Sequence, residues 1–257
     1  MIFCLLRKLL PCLFLILNLQ LAAQIVNIED RRGRPDSLGW RGQVDLAGQL
    51  TENSNRVLTL KGGIRLDQLG ERTHGLFLAN YQLIQAGADN LINDGFFHFR
   101  YGYDLNERLR WEAFTQLQYN ERLRLSARWL IGTGPRIALL SPKPGRRLNV
   151  GILYMFEYDE FDASDISYRD HRLSTYISAR FPLTEQLVFT NTTYYQPLLF
   201  SFEVPRLSMV SNLEFTISSW LSFTSNLNFT HDGRLGRDFP EVPETVYSWL
   251  NGFRFRF

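Results

Sequence analysis

The chain contains 257 residues with a formal net charge of +2, and it is rich in aromatic residues, with 20 Phe, 11 Tyr and 5 Trp. Its mean hydropathy of −0.18 excludes a bundle of apolar membrane-spanning helices. Without Arg7 and Lys8, basic and acidic residues number 26 each, so the rest of the chain is neutral. A neutral chain has no overall basic field that would attract nucleic acid.

The first 23 residues have the pattern of a secretory signal. Arg7 and Lys8 precede the apolar run 9–17, and the small residues Ala22 and Ala23 follow it. A membrane-spanning helix needs about 20 apolar residues, so this run is too short to be one. We expect a signal peptide at 1–23 that is cleaved after Ala23.

Both cysteines of the chain, Cys4 and Cys12, lie within this signal. The mature protein therefore has no thiol chemistry and no disulfide. Residues 24–38 are polar and charged, and we interpret them as a short periplasmic segment before the folded part.

From Gly39 onward, apolar and polar residues alternate. Trp40, Val44 and Leu46 share one face, whereas Arg41 and Asp45 share the other, and strict alternation indicates strands. The pattern predicts strands near 40–51, 56–67, 73–84, 95–104, 108–119, 122–134, 147–158, 169–181, 187–196, 206–217, 220–231 and 245–257. Tilted strands of this length span an apolar band of about 25 Å, and an even strand number places both termini on one side of a membrane.

The last strand has no turn after it. Phe253, Phe255 and Phe257 point to one face, and Arg254 and Arg256 point to the other. The free edge of such a strand would recruit other chains, unless it pairs with the first strand of a closed barrel. We therefore predict an all-β fold for 39–257: a closed, up-and-down, antiparallel transmembrane β-barrel of about 12 strands.

The alternation does not itself say which face lies inside, and a soluble barrel would turn its apolar face inward. The signal, the strand length and the heavily charged polar face favour the membrane. With a periplasmic N-terminus, short turns are expected after even strands. The longest connections, expected outside, are 86–94, 159–168, 197–205 and 232–244.

Three segments carry a resemblance to a known family: Trp111-Glu-Ala-Phe-Thr-Gln-Leu-Gln-Tyr-Asn120, Gly132-Thr-Gly-Pro-Arg136 and Tyr194-Tyr-Gln-Pro197. They resemble the YdiY-like family of salt-induced outer-membrane proteins, a family of unknown function, over residues 40–257. The resemblance implies a barrel in the outer membrane of a Gram-negative cell, in contact with lipid and lipopolysaccharide. It also implies insertion by the barrel-assembly machinery, for which Phe253, Phe255 and Phe257 would be the signal. It implies no catalytic residue.

The polar face carries more basic than acidic residues. The basic ones are Arg41, Lys61, Arg65, Arg100, Arg110, Arg128, Arg172, Arg180, Arg254 and Arg256, and the acidic ones are Asp45, Asp67, Glu112, Glu157 and Glu214. Charges in a narrow lumen must be paired or hydrated. One interpretation is a structural network that fills or props the barrel. The other is a narrow, anion-preferring pore for ions or small solutes.

Two further interpretations remain open. A lipid-hydrolysing barrel needs a His near a Ser nucleophile, but none of His74, His98, His171 and His231 has a Ser two residues away on its face. A surface-binding protein would act through its outer loops. We expect no cofactor and no metal, because the acidic stretch of Glu157, Asp159, Glu160, Asp162 and Asp165 lacks the spacing of a calcium loop.

Overall fold

The structure, a computed structural model, describes residues 38–52, 56–140, 145–162 and 166–255. The signal at 1–23, all but Leu38 of the segment at 24–38, and Arg256 and Phe257 lie outside the described residues. The described strands are β1 (Gly39–Glu52), β2 (Arg56–Leu69), β3 (Thr73–Ala86), β4 (Asp89–Asp104), β5 (Leu109–Asn120), β6 (Leu125–Ala138), β7 (Arg147–Phe161), β8 (Ser167–Pro182), β9 (Leu187–Gln196), β10 (Arg206–Thr216), β11 (Leu221–Asp232) and β12 (Thr245–Phe255). A 3₁₀ turn (Glu121–Leu123) follows β5, and a short helix, α1 (Gly233–Asp238), follows β11.

The strands form one antiparallel meander. Each strand pairs with its neighbours in the chain, in the order β1 to β12. This confirms the predicted all-β, up-and-down architecture and the number of strands. No backbone ladder joins β1 (Gly39–Glu52) to β12 (Thr245–Phe255) among the described residues, so their pairing stays a prediction.

The two faces of the curled sheet differ in chemistry. On β4, Phe97, Phe99, Tyr101 and Tyr103 point outward and are exposed, whereas His98 and Arg100 point inward and are buried. The same alternation continues through the neighbouring strands, so the outside is apolar and aromatic and the charged side chains of these strands lie inside. This is the arrangement of a membrane-spanning barrel. Among the described residues, neither helical segment has the length and apolar character to cross a membrane.

Two of the expected long loops are wrong. The connection predicted at 86–94 is a two-residue turn, because β4 already begins at Asp89, and Gly87 (φ 63°) supplies the left-handed conformation that so tight a turn needs. The connection predicted at 159–168 is shorter, because β7 continues to Phe161. Glu157, Asp159 and Glu160 therefore lie in a strand and not in an acidic loop.

Rings fill the middle of the lumen where glycines leave room for them. Gly151 lies directly opposite Tyr176 in the β7–β8 ladder. A β-carbon on Gly151 would lie 2.0 Å from the Tyr176 ring, and one on Gly132 would lie 2.5 Å from the ring of Phe114. Phe114 and Tyr176 pack with Leu153, Met155 and Tyr194 in one buried cluster. The interior of these strands is therefore partly filled by side chains.

Candidate functional site

The pairing registers place every described member of the predicted charged set on the inner face. This holds for Arg41, Asp45, Lys61, Arg65, Asp67, Arg100, Arg110, Glu112, Arg128, Glu157, Arg172, Arg180, Glu214 and Arg254. Whether these residues line a conducting pore stays a proposal. Arg256 lies outside the described residues.

Only some of these residues meet one another. Arg65 pairs with Asp67 at 2.5 Å, and Arg254 pairs with Glu214 at 3.3 Å. Larger groups form at two levels of the lumen, which are described next. Lys61 and Arg180 have no hydrogen bond or ion pair with any residue that the structure describes.

A buried layer of charges crosses the lumen at the end where odd-numbered strands finish, here termed the loop end. This charge layer consists of Arg128, Glu157, Asp159, Asp170, Arg172, Arg206 and Asp232. Arg206 is at its centre. The Nε atom of Arg206 lies 2.5 Å from Asp232, its Nη2 atom lies 3.2 Å from Asp159, and its Nη1 atom contacts Glu157.

The other two arginines of the charge layer bind the same carboxylates from neighbouring strands. Arg128 donates two hydrogen bonds to Asp159, at 2.8 and 2.6 Å. Arg172 pairs with Glu157 at 2.7 Å and with Asp170 at 3.0 Å. A buried charge is tolerated only when it is paired and hydrogen-bonded. Because each arginine here has at least two carboxylate contacts or hydrogen-bonding partners, the layer is a specific, paired unit of three basic and four acidic residues.

The connection between β11 and β12 folds over this layer and forms a cap, defined here as residues 233–244. Asp232 links the two, because its Oδ1 atom accepts a hydrogen bond from the Leu235 amide at 3.2 Å while its Oδ2 atom binds Arg206. Capping the first turn in this way satisfies amides that the short helix leaves unpaired. Leu235, Phe239 and Val242 are buried against Leu123, Leu125, Phe161 and Tyr168. The cap therefore reaches from β11 to the ends of β5 to β8 and covers the loop end on that side.

Polar contacts hold the rim of the cap. The Tyr168 hydroxyl donates to Asp238 at 2.6 Å, and the guanidinium of Arg234 lies 3.6 Å from the centre of the Tyr168 ring. Burial alone would raise the pKa of Asp238. Hydrogen bonds from Tyr168 and Arg237, with the charges of Arg237 and Arg234, outweigh burial and lower that pKa below its usual value. Asp238 is therefore ionised in the closed cap at neutral pH.

A second polar group lies deeper in the lumen, around Glu112. Glu112 pairs with Arg100 at 2.9 Å and accepts a hydrogen bond from the Tyr176 hydroxyl at 3.0 Å. Arg136 donates to the same hydroxyl at 2.9 Å. Since Tyr176 is on β8 and Glu112 is on β5, this contact also crosses the lumen. His98, two residues before Arg100 on β4, hydrogen-bonds Gln116 at 3.0 Å.

The opposite end of the lumen, termed the turn end, contains an open cavity of about 1220 Å³, here called the vestibule. Turns after β2, β4 and β6 contribute to its rim. Its charged lining is predominantly basic, with seven arginines against three carboxylates: Arg72, Arg108, Arg110, Arg136, Arg146, Arg147 and Arg180 against Glu71, Asp104 and Glu107. Arg110 is held by Asp104 at 2.6 Å.

Sequence reasoning missed several inner charges, namely Arg136, Arg147, Asp159, Asp170, Arg206 and Asp232. The alternating pattern could have placed them on the inner face, because each residue stands an even number of positions from an inner residue on its own strand. Asp159 is two residues from Glu157, and Asp170 is two residues from Arg172. Arg206 begins the strand predicted at 206–217 and is eight residues from Glu214.

Histidine contacts bear on the hydrolase alternative. His231 on β11 lies 2.9 Å from the Thr245 hydroxyl on β12, a pair that a search along single strands does not reveal. His171 contacts the Tyr154 hydroxyl at 2.6 Å. Among the described residues, neither histidine has a carboxylate on its second ring nitrogen. A positioned base needs such a group for orientation, so this geometry does not favour hydrolysis.

Several solved structures are similar in fold. The NanC porin shows 11% identity and a TM-score of 0.45, over 84% of this chain and 100% of that chain. The translocator domain of the autotransporter NalP from Neisseria meningitidis shows 11% identity and a TM-score of 0.41, over 86% and 90%. The β domain of the Bordetella autotransporter BrkA shows 12% identity and a TM-score of 0.35, over 85% and 98%. Comparison with curated proteins gives no match.

A family model described as "protein of unknown function, DUF481" matches residues 44–239. The match runs from β1 (Gly39–Glu52) into the cap and covers more than half of the chain. The narrower YdiY-like assignment stays a prediction. The chain therefore belongs to the DUF481 family of proteins of unknown function.

Proposed function

We propose that this protein is a narrow pore for ions or small solutes in the outer membrane, closed at its loop end when at rest. One observation carries the proposal: the lumen is open at the vestibule, and at its other end the cap, a loop with a short helix, folds over the charge layer. A barrel that served only as a structural element would have no need for a 1220 Å³ cavity lined by charged residues at one end.

The outer membrane is the location that the surface chemistry supports. Exposed aromatic and aliphatic side chains cover the outside of the strands, for example Trp111, Trp129, Ile152 and Ile177. Leaving them in water would be unfavourable, whereas lipid solvates them. The basic and apolar segment at 1–23 would direct the chain across the inner membrane.

Closure by a loop matters because loops open more readily than strands. The cap contributes three buried apolar side chains to its cluster, namely Leu235, Phe239 and Val242. Each strand, in contrast, is held by ladders on one or both sides. Local opening takes place where few buried contacts must break. Displacement of the cap would expose the charge layer to water, which hydrates ions and replaces part of their pairing.

Single-channel recording of the refolded protein in a planar bilayer tests this function. We expect the wild-type protein to show rare openings of low conductance. A variant in which a short Gly-Ser turn replaces residues 234–243 should be open for most of the time. A matched Gly-Ser replacement of the turn at 183–186, at the other end of the barrel, should behave as the wild type.

Silence of both the wild-type and the cap-deleted protein would overturn the pore. The folded state must be verified in the same samples, because a misfolded barrel is also silent. Resistance to SDS without boiling, with a shift in gel mobility, reports folding. Folded but silent protein would favour the structural interpretation, in which the two polar layers brace a closed barrel.

A further inference from the structure

We infer that the vestibule contains an oxyanion-binding site built by Arg147 and Arg180 together with Asn149. Arg147 on β7 and Arg180 on β8 are direct partners in the ladder of these strands. Residues directly opposite each other in an antiparallel pair point to the same face. Both arginines line the vestibule, so adjacent strands place two guanidinium groups in one cavity.

Two like charges directly opposite each other destabilise a strand pair. In another opposing pair of arginines in the lumen, each member has an acidic neighbour. Arg110 and Arg136 are also ladder partners, but Arg110 pairs with Asp104 at 2.6 Å and Arg136 lies 4.0 Å from Glu112. Arg180 is exposed to the cavity and has no hydrogen bond or ion pair with a described residue. An anion bound to Arg180 would supply the acidic partner that this arginine lacks in the described part of the chain and would offset the repulsion from Arg147 opposite it.

Asn149 adds an independent observation. It is two residues from Arg147 on the inner face of β7, it lines the vestibule, and only 7% of its surface is exposed. Its Nδ2 donor has no hydrogen-bond partner among the described residues. A buried donor that lacks an acceptor is costly. Asn149 and the two arginines thus offer donors in one region, and a ligand that supplies acceptors and negative charge is their complement.

Guanidinium groups bind carboxylate and phosphate through paired, charge-assisted hydrogen bonds. The ligand class is therefore a small solute that carries two or more carboxylate or phosphate groups, one for each arginine. The vestibule volume is sufficient for a solute of that size. The idea that the pore transports solutes of this class rests on the proposed function. The binding site itself can be measured without any current.

Urea unfolding of the refolded protein in non-ionic detergent tests the site, with citrate as the probe and sodium chloride of equal ionic strength as the reference. A ligand that binds only the folded state stabilises it by mass action. We expect citrate to raise the urea midpoint of the wild-type protein, and the shift to be lost in Arg147→Gln/Arg180→Gln. Asn149→Leu should reduce the shift. Arg169→Gln removes the same charge from the outer face of β8 and should retain the full shift.

A second readout separates binding from a general loss of stability. In citrate-free buffer, Arg180→Gln should be at least as stable as the wild type, because it removes one of two opposing charges. Arg180→Lys should retain part of the citrate shift. A citrate shift that persists in the double variant would overturn the site, as would a citrate-free Arg180→Gln protein that is clearly less stable than the wild type.

Vesicles distinguish a free solute from a lipid headgroup, which can carry the same phosphate chemistry. Citrate should stabilise the protein in purely zwitterionic vesicles. The opposite result would refute a site for a free solute. In that result, anionic lipid stabilises the protein, citrate does not, and the double variant loses the effect of the lipid. A citrate shift in a protein that never conducts would support the binding site and refute the pore. Conductance without any citrate shift would support the pore and refute the binding site.

Discussion

Arg206 on β10 and Glu157 on β7 form an ion pair, although β8 and β9 separate their strands in the sheet. Both side chains are almost fully buried. Side chains on strands that are not neighbours can meet only if the sheet curls, so that residues on its inner face contact one another across the lumen. The pair therefore shows that the barrel wall is curved at the loop end. It also means that the charge layer connects strands on different sides of the lumen and braces them against each other.

Replacement of Arg206 by Met should strongly destabilise the fold. The substitution leaves Glu157, Asp159 and Asp232 with less compensation in a buried site, and removing one partner of a buried pair costs about 3–5 kcal/mol. Equilibrium unfolding in urea, with the protein in lipid vesicles, measures the loss. Arg254→Gln is the matched control, because its pair with Glu214 is more exposed and worth about 0–1 kcal/mol. Equal losses in the two variants would contradict the brace.

Alternation along the chain was sufficient to predict twelve strands and the inner side of those strands that carry the predicted charges. This succeeded because a strand has a strict period of two, so one assigned residue fixes the others. The identity of the partners across the lumen could not be predicted, because it depends on curl and stagger. Nothing near Arg206 in the sequence points to Glu157.

The cap was missed for a different reason. The stretch at 232–244 contains glycines, prolines and charges, which indicate a solvated loop. Its apolar residues Leu235, Phe239 and Val242 were the available signal, but their burial depends on a surface formed by β5 to β8. The connection at 86–94 was predicted as a long loop, whereas β4 begins at Asp89, and strands that extend beyond the lipid can carry polar residues at their ends.

Replacement of Gly151 by Ala should displace the Tyr176 ring. The new β-carbon would lie 2.0 Å from a ring atom, so the ring or the strand must shift. Overpacking of this kind costs about 1–3 kcal/mol, and the shift would also disturb the hydrogen bonds from Tyr176 to Glu112 and from Arg136 to Tyr176. Urea unfolding gives the cost. Gly48→Ala is the control, because its nearest new contact would be at an ordinary 3.6 Å.

The Gly151 prediction also has a rescue. Combining Gly151→Ala with Tyr176→Leu removes the ring that causes the clash. The double variant should therefore lose less stability than the sum of its two single variants. Simple additivity of the two losses would show that the residues do not interact in the folded protein.

The cap should loosen at acidic pH through Asp238. Because the pKa of Asp238 is lower in the folded protein than in the unfolded chain, ionised Asp238 stabilises the cap above its ordinary pKa of about 4. This contribution is lost as pH falls through the lower folded pKa. Hydrogen exchange of the peptide 233–244, corrected for intrinsic rates, should show more opening at pH values below the folded-state pKa of Asp238. Asp238→Asn should already be looser at pH 7 and should lack the Asp238 part of the pH dependence.

Cysteine cross-linking should show whether β1 and β12 close the barrel. Leu46 on β1 and Trp249 on β12 are 83% and 69% exposed, and an unpaired apolar edge of this kind is an aggregation hazard. Since the chain beyond Cys12 contains no cysteine, a Gln43→Cys variant can be combined in turn with Ser248→Cys, Leu250→Cys or Gly252→Cys.

A disulfide needs Cα atoms about 4.4–6.8 Å apart, so a paired seam should oxidise readily in one of these three combinations and poorly in the other two. All the cysteines lie on the inner face by the registers of β1–β2 and β11–β12. The product should migrate differently on a non-reducing gel of unfolded protein, and dithiothreitol should restore the original mobility. Uniformly slow oxidation would mean that the seam is open or follows another register. Cysteine substitutions at further positions from Arg41 to Gln49 distinguish these two cases. An open seam would refute the closed barrel, because lipid could then enter the polar lumen and the proposed pore would lose its wall.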